Sequence, residues 1–176
     1  MDLFDLTGKV AVVTGSTKGI GRGIAEALAA AGAQVVVSSR AQADCDRVAT
    51  ELNAAHPGTG CYGAACDVAD AVSITAFVAA VERRSGGIDV LVCNAARMPK
   101  LQPFGEVADD EFLAQFDTNV VKTLRLCRLA SASMQRRGGG SIVLIGSRTG
   151  IAPAPQQLAY SCAKAAETHL ARNLAQ

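Results

Sequence analysis

The chain has 176 residues, 49% hydrophobic and 19% charged, with a formal net charge of +1. That composition predicts a soluble globular protein of one domain with a substantial core, and it gives no broad electrostatic case for nucleic acid or an anionic membrane. No apolar run approaches the roughly 20 residues of a membrane span, and Asp2 and Asp5 argue against a secretory signal at the start.

The six cysteines (45, 61, 66, 93, 127 and 162) contain no Cys-x-x-Cys pair. They read as buried thiols in a reducing compartment, hence a cytoplasmic protein. His56 and His169 stand apart from any ligand cluster, so no metal site is expected.

In chain order, Lys9 to Val13 is a short, β-branched, apolar run that predicts a buried strand. Thr14-Gly15-Ser16-Thr17-Lys18-Gly19-Ile20-Gly21 comes next, and then a helix to Ala31 with Ile20, Ile24, Leu28 and Ala31 at helical spacing. Strand, glycine turn and helix are the parts of a dinucleotide-binding unit. Gly15 allows a sharp turn, while Gly19 and Gly21 leave room for a pyrophosphate and for helix–strand packing. The N–H groups at the helix start would face the phosphates. A tight turn without a nucleotide is the other reading of the same eight residues.

Val35 to Val37 predicts a second strand, ending at Ser39-Arg40. Units that bind NAD place an acid there for the ribose 2′-hydroxyl. A guanidinium instead suits a 2′-phosphate, and Lys18 offers a second cation, so the pattern favours NADP(H). A helix from Ala43 to Ala55 has Cys45, Val48, Ala49 and Leu52 on one face. A weaker edge strand spans Cys61 to Cys66, with Asp67-Val68 at its end. The helix from Ala71 to Arg84 buries Ile74, Phe77, Val78 and Val81. Ile88 to Cys93 predicts a fourth strand, with Asn94-Ala95-Ala96 after it.

Asp109 to Arg137 predicts one long helix with Phe112, Phe116, Val120, Leu124 and Cys127 as its buried stripe and Asn119 beside it as a semi-exposed residue. Ser141 to Gly146 is a fifth strand, with Ser147 just past it, and a last helix starts near Gln157. Five alternating strands predict an α/β, doubly wound parallel sheet of Rossmann type, in the order 3-2-1-4-5, with a crevice where strands 1 and 4 diverge.

Tyr160 and Lys164 are four apart on the last helix and share a face. An ammonium near a phenol favours the phenolate, so the pair is a plausible tuned general acid–base; a surface pair with a packed ring is the alternative.

Thr14-Gly15-x-x-x-Gly19-Ile20-Gly21, Asn94-Ala95-Ala96, Asn119, Ser147 and Tyr160-x-x-x-Lys164, in that order and spacing, resemble the classical short-chain dehydrogenase/reductase family. The resemblance runs from the first strand to the last residue. It implies that Tyr160 exchanges a proton with the substrate oxygen, that Lys164 tunes it and holds the nicotinamide ribose, and that Ser147 bonds the carbonyl or alkoxide. It implies that Asn119 holds a water joining Lys164 to solvent. Asp67 and Val68 would flank the adenine, Asn94 would steady the central strand end, and Ser39-Arg40 matches NADP-preferring members. Gly15 through Gly21, Ala95 and Ala96 would complete the cofactor site.

The implied activity is an oxidoreductase moving a hydride between NADP(H) and a small carbonyl or secondary alcohol, with carbonyl reductases the nearest pattern. The implied assembly is a homodimer or homotetramer through residues 109–137 and 157–176. Cys93 and Ala96 depart from the family's Asn-Asn-Ala-Gly. Family members also continue past the equivalent of Gln176, through two more strands and a substrate-covering loop. The expectation is therefore a truncated single domain over residues 1–176. An incomplete, non-catalytic nucleotide-binding module is the alternative, and an exposed fifth-strand edge of Ile142, Val143, Leu144 and Ile145 is expected.

Overall fold

A computed structural model describes residues 3–176; Asp2, one of the two acids read against a secretory signal, lies outside them. Five strands form one parallel sheet: β1 (Val10–Thr14), β2 (Gln34–Ser38), β3 (Tyr62–Gly63), β4 (Val90–Cys93) and β5 (Ser141–Leu144). Their order is β3-β2-β1-β4-β5, as the alternation of elements predicts. β1 sits at the centre, with Val12 opposite Val36 on one side and Leu91 on the other.

The pleat of β1 assigns its residues to two cores. Val10 and Val12 face Ile74, Phe77, Val78 and Val81 of α3 (Ala71–Ser85) and Leu126, Cys127 and Ala130 of α5 (Thr123–Arg136). Ala11 and Val13 face Ala25 and Ala29 of α1 (Gly19–Ala30) and Cys45, Val48 and Leu52 of α2 (Gln42–Ala55). The expected stripes of α2 and α3 are the buried ones. α3 starts on Asp70, whose carboxylate accepts from the N–H groups of Val72 (2.9 Å) and Ser73 (3.3 Å), and it stops on left-handed Gly86.

Three expectations change. Regular pairing of β3 covers two residues rather than Cys61 to Cys66. The Asn53 amide grips the backbone of Cys61 from both sides, and beyond Gly63 only single bonds from Ala64 to Val37 and from Cys66 to Ser39 continue the ladder. In α1, Ile20 is 69% exposed at the helix start, and the buried face is Gly21, Ala25 and Ala29.

The long helix is also interrupted. α4 (Asp109–Phe116) passes through a π-helical stretch, Asp117–Lys122, into α5. Its buried face is Gln115, Thr118, Asn119, Thr123, Leu126 and Cys127; of the expected stripe Cys127 is buried, while Gln115, Asn119 and Thr123 stand one position before the expected Phe116, Val120 and Leu124. Phe112, Phe116, Val120 and Leu124 are half-buried, the two phenylalanines stacked at 5.1 Å. The amides turn inward because the loop after β4 brings backbone groups that need partners.

β5 edges the sheet, with Val143 exposed and an open groove of about 410 Å³ lined by Met134, Ile142, Leu144, Ala171 and Leu174 beside it. α6 (Leu158–Leu174) packs on α4 and against the end of β5. Among the described residues no helix is long and apolar enough to cross a membrane.

Asp89 locks β1 to the α5–β5 connection. It accepts from the Val10 N–H at 2.8 Å and receives a bidentate Arg137 guanidinium, both bonds at 2.9 Å. Burial alone would raise its pKa; Arg137 and the Val10 N–H outweigh burial and hold it low. Because the folded value is depressed, this stabilisation is complete above about pH 4 and disappears as pH falls through the folded value. Asp89→Asn should lose about 2 kcal/mol in urea unfolding at pH 7, and the gap to the parent should close below about pH 4. Equal stability at pH 7 would contradict the lock.

Candidate functional site

The site begins with a staple between the ends of β1 and β4. Asn94 Nδ2 donates to the carbonyls of Thr14 (2.9 Å) and Gly15 (3.1 Å). The Thr14 hydroxyl donates to Val92 O and accepts from the N–H groups of Asn94 (3.0 Å) and Ala95 (3.1 Å). Gly15 turns at φ +65°. A Cβ at Gly21 would lie 2.4 Å from both Asn94 Nδ2 and the Gly15 carbonyl oxygen, so only glycine lets α1 approach this closely.

Above the staple, α1 starts on Lys18 with no side-chain cap and no acid in its first turn. A Cβ at Gly19 would meet nothing within 4 Å. An open glycine surface at the N-terminus of a twelve-residue helix fits the pyrophosphate of a dinucleotide. Thr17 is half-buried, and Lys18, Gly19 and Ile20 are exposed.

Ser16 turns back to the sheet. Its hydroxyl donates to Val13 O (2.7 Å) and accepts from the Ser38 N–H, and its own N–H donates to Ser38 O. The first bond holds the end of β1 and the other two tie it to β2, so Ser16 shapes the turn.

At the end of β2, the Ser39 N–H donates to Cys45 Sγ, and the Ser39 hydroxyl donates to the Ala41 carbonyl. Arg40 and Lys18 are exposed, and neither has an acid partner among the described residues. The neighbouring Ser38 hydroxyl is buried without a partner. Half-buried Asp67 closes a turn onto the Ala69 N–H (2.9 Å), while Val68 packs on the α3 core. Ala95 and Ala96 are half-buried past β4.

The remaining groups meet where β5 ends against α6. Ser147 caps a short turn, Arg148–Gly150. Its Oγ accepts from the Thr149 N–H and lies 2.9 Å from the Thr149 hydroxyl, so its bonds run to Thr149 and not to Tyr160. Gly150 makes this meeting possible: a Cβ there would lie 2.8 Å from the Lys164 carbonyl carbon. Tyr160 is half-buried and lines a narrow cleft with Lys100, Glu111 and Gln115. Lys164 is 3% exposed and donates to the Ile145 carbonyl (2.9 Å) and to the carboxylate of Glu167, itself 3% exposed. Burial raises the pKa of Glu167, and the Lys164 ammonium offsets part of that rise.

Asn119 is 1% exposed rather than semi-exposed. Its amide accepts from the Arg97 N–H (2.8 Å) and donates to Arg97 O (3.2 Å) and to Gln115 Oε1 (2.9 Å). Both amide protons are used, so the side chain fastens the loop after β4 to the π-helical stretch. Helical irregularities of this kind cluster at functional sites. Gly150, Gln115 and Glu167 carry little signal in the sequence: a glycine in a loop, and polar residues at helical spacing on a helix face.

The profile of the short chain dehydrogenase family matches residues 9–176. The chain belongs to that family. Among curated members, dehydrogenase/reductase SDR family member 4 of Bos taurus is 39% identical over 97% of this chain and 60% of its own length. An uncharacterized oxidoreductase of Bacillus subtilis, YvrD, is 35% identical over 100% of this chain and 65% of its own. The chain thus spans less than two thirds of these relatives.

Among solved structures, a short-chain type dehydrogenase/reductase from Mycobacterium marinum superposes with a TM-score of 0.88 at 34% identity, covering 98% of this chain and 68% of that one. A gluconate 5-dehydrogenase from Burkholderia cenocepacia, solved in complex with NADP and tartrate, gives 0.89 at 29% identity, covering 97% and 66%. Short-chain dehydrogenases are oxidoreductases that use nicotinamide dinucleotides.

Gly150→Ala should drive the turn carrying Ser147 off α6. The expected loss is about 1–3 kcal/mol in urea unfolding, from the overpacking of a methyl against backbone. Unchanged stability would mean that the turn is not held against Lys164.

Proposed function

We propose that the protein acts as an NADP(H)-dependent reductase of small ketones or aldehydes, or in the reverse direction as an oxidant of secondary alcohols. The observation that supports this reading is the position of three elements at the carboxyl ends of β1, β4 and β5: the glycine turn stapled by Asn94, the Ser147 turn, and α6 with Tyr160 and Lys164 packed against that turn. The exposed Lys18 and Arg40, without acid partners among the described residues, support the choice of a 2′-phosphorylated dinucleotide.

The bound dinucleotide supplies or accepts the hydride. Tyr160 donates its hydroxyl proton to the substrate oxygen as carbonyl becomes alcohol, and takes it back in the reverse direction. The Lys164 ammonium favours the phenolate left behind. It is held by Ile145 and Glu167, and a lysine has three N–H donors, so one remains for the ribose of the dinucleotide. The Ser147 hydroxyl turns from Thr149 to the substrate oxygen. Asn119 keeps the loop after β4 beside the cleft through Arg97. Asp67 and Val68 border the adenine.

Exposed Leu113 and Val121 on the long helix support assembly as a homodimer or homotetramer, and free thiols support a cytoplasmic setting.

Two variants separate cofactor choice from chemistry. Arg40→Asp should weaken NADPH binding at least about tenfold relative to NADH in a fluorescence titration, the loss of one charged contact. Tyr160→Phe should leave the NADPH affinity within about twofold but abolish NADPH consumption with a panel of carbonyl compounds. An unchanged preference in the first variant, or full turnover in the second, would overturn the corresponding assignment. NADPH binding without turnover in the parent chain would favour the non-catalytic module.

A further inference from the structure

Lys164 and Glu167 form a buried ion pair between α6 and the end of β5, and nothing in the general chemistry of the site requires the acid. A carboxylate 3% exposed on a helix otherwise buried through Ala159 and Ala163 is costly unless its partner needs it. Its surroundings are otherwise apolar or neutral. Cys93 of β4 and Cys127 of α5 are the titratable groups that face it from the neighbouring elements, and a mutual hydrogen bond and burial keep the Cys93 thiol protonated. The only full charge beside the carboxylate, among the described residues, is the Lys164 ammonium.

We propose that Glu167 is a positioning residue for the reaction: it fixes the Lys164 ammonium at the end of β5, leaving one N–H for the dinucleotide ribose. This rests on the reductase reading of the site. A lysine stem alone has four rotatable bonds, and Glu167 together with Ile145 O reduces the head group to one orientation.

The test compares the parent chain with Glu167→Gln, which keeps the volume and removes the charge.

In Glu167→Gln, calorimetry should show NADP⁺ binding weakened about five- to tenfold, with binding of 2′,5′-ADP, which lacks the nicotinamide ribose, unchanged. A merely structural acid would leave the ratio of the two affinities unmoved. A folded variant with an unmoved ratio would overturn the proposal.

Should Glu167→Gln fail to fold, the parent itself decides. The Lys164 ammonium protons should exchange slowly enough to be seen by ¹⁵N NMR, and exchange as fast as that of surface lysines would overturn the pairing. Failure of the functional reading looks different: neither NADP⁺ nor 2′,5′-ADP binds the parent.

Discussion

The hydrogen bonds between Asn94 and the Thr14–Gly15 peptides set the geometry of the glycine turn proposed to hold the nucleotide. In an open parallel sheet, β1 and β4 diverge at their carboxyl ends, and the peptide groups there lose their ladder partners. One amide side chain and one hydroxyl supply replacements on both sides of the gap. Gly15 can then hold its left-handed turn, and Gly21 can pass within contact of the same amide. The start of α1 is thereby presented, uncapped, to the mouth of the sheet. Ser16 works from the other side, binding β1 to β2 through the Ser38 peptide.

A second close approach completes the site. Gly150 lets the turn after β5 rest on the backbone of α6, and the Lys164 head group reaches back to the Ile145 carbonyl. The proposed acid–base groups and the proposed nucleotide cradle are held at the carboxyl ends of the strands by glycines and backbone bonds rather than by contacts among Ser147, Tyr160 and Lys164. That is why Ser147 is bonded to Thr149 and still lies in the turn packed on the helix of Tyr160. A hydroxyl that exchanges a local partner for a substrate oxygen loses little, because one hydrogen bond replaces another.

Much of this is legible in the residues. The strand order comes from β-branched runs alternating with helices, and the buried faces of α2 and α3 match their apolar spacing. Those faces pack on strands, where burial and hydrophobicity coincide. The long helix differs for the opposite reason. Gln115, Asn119 and Thr123 are buried, two of them beside the peptides of Arg97 and Met98, and apolar periodicity is blind to a polar face that binds backbone. The π-helical stretch has no residue signature of its own. Glu167 is hidden in the sequence because a Lys–Glu pair three apart normally marks a solvated helix face. Ser16 sits inside a glycine motif whose Lys18, Gly19 and Ile20 face outward, and only the structure shows its hydroxyl turned back to the sheet.

In the function proposed for this chain, one rim of the sheet binds a dinucleotide and carries the acid–base pair. The most direct test is an amide and side-chain NMR titration of the chain with NADPH. The account expects Thr17 to Gly21, Asn94 to Ala96, Arg40 and the Lys164–Glu167 pair to shift together and saturate at one concentration. Shifts confined to another surface, or no response at millimolar NADPH, would contradict it.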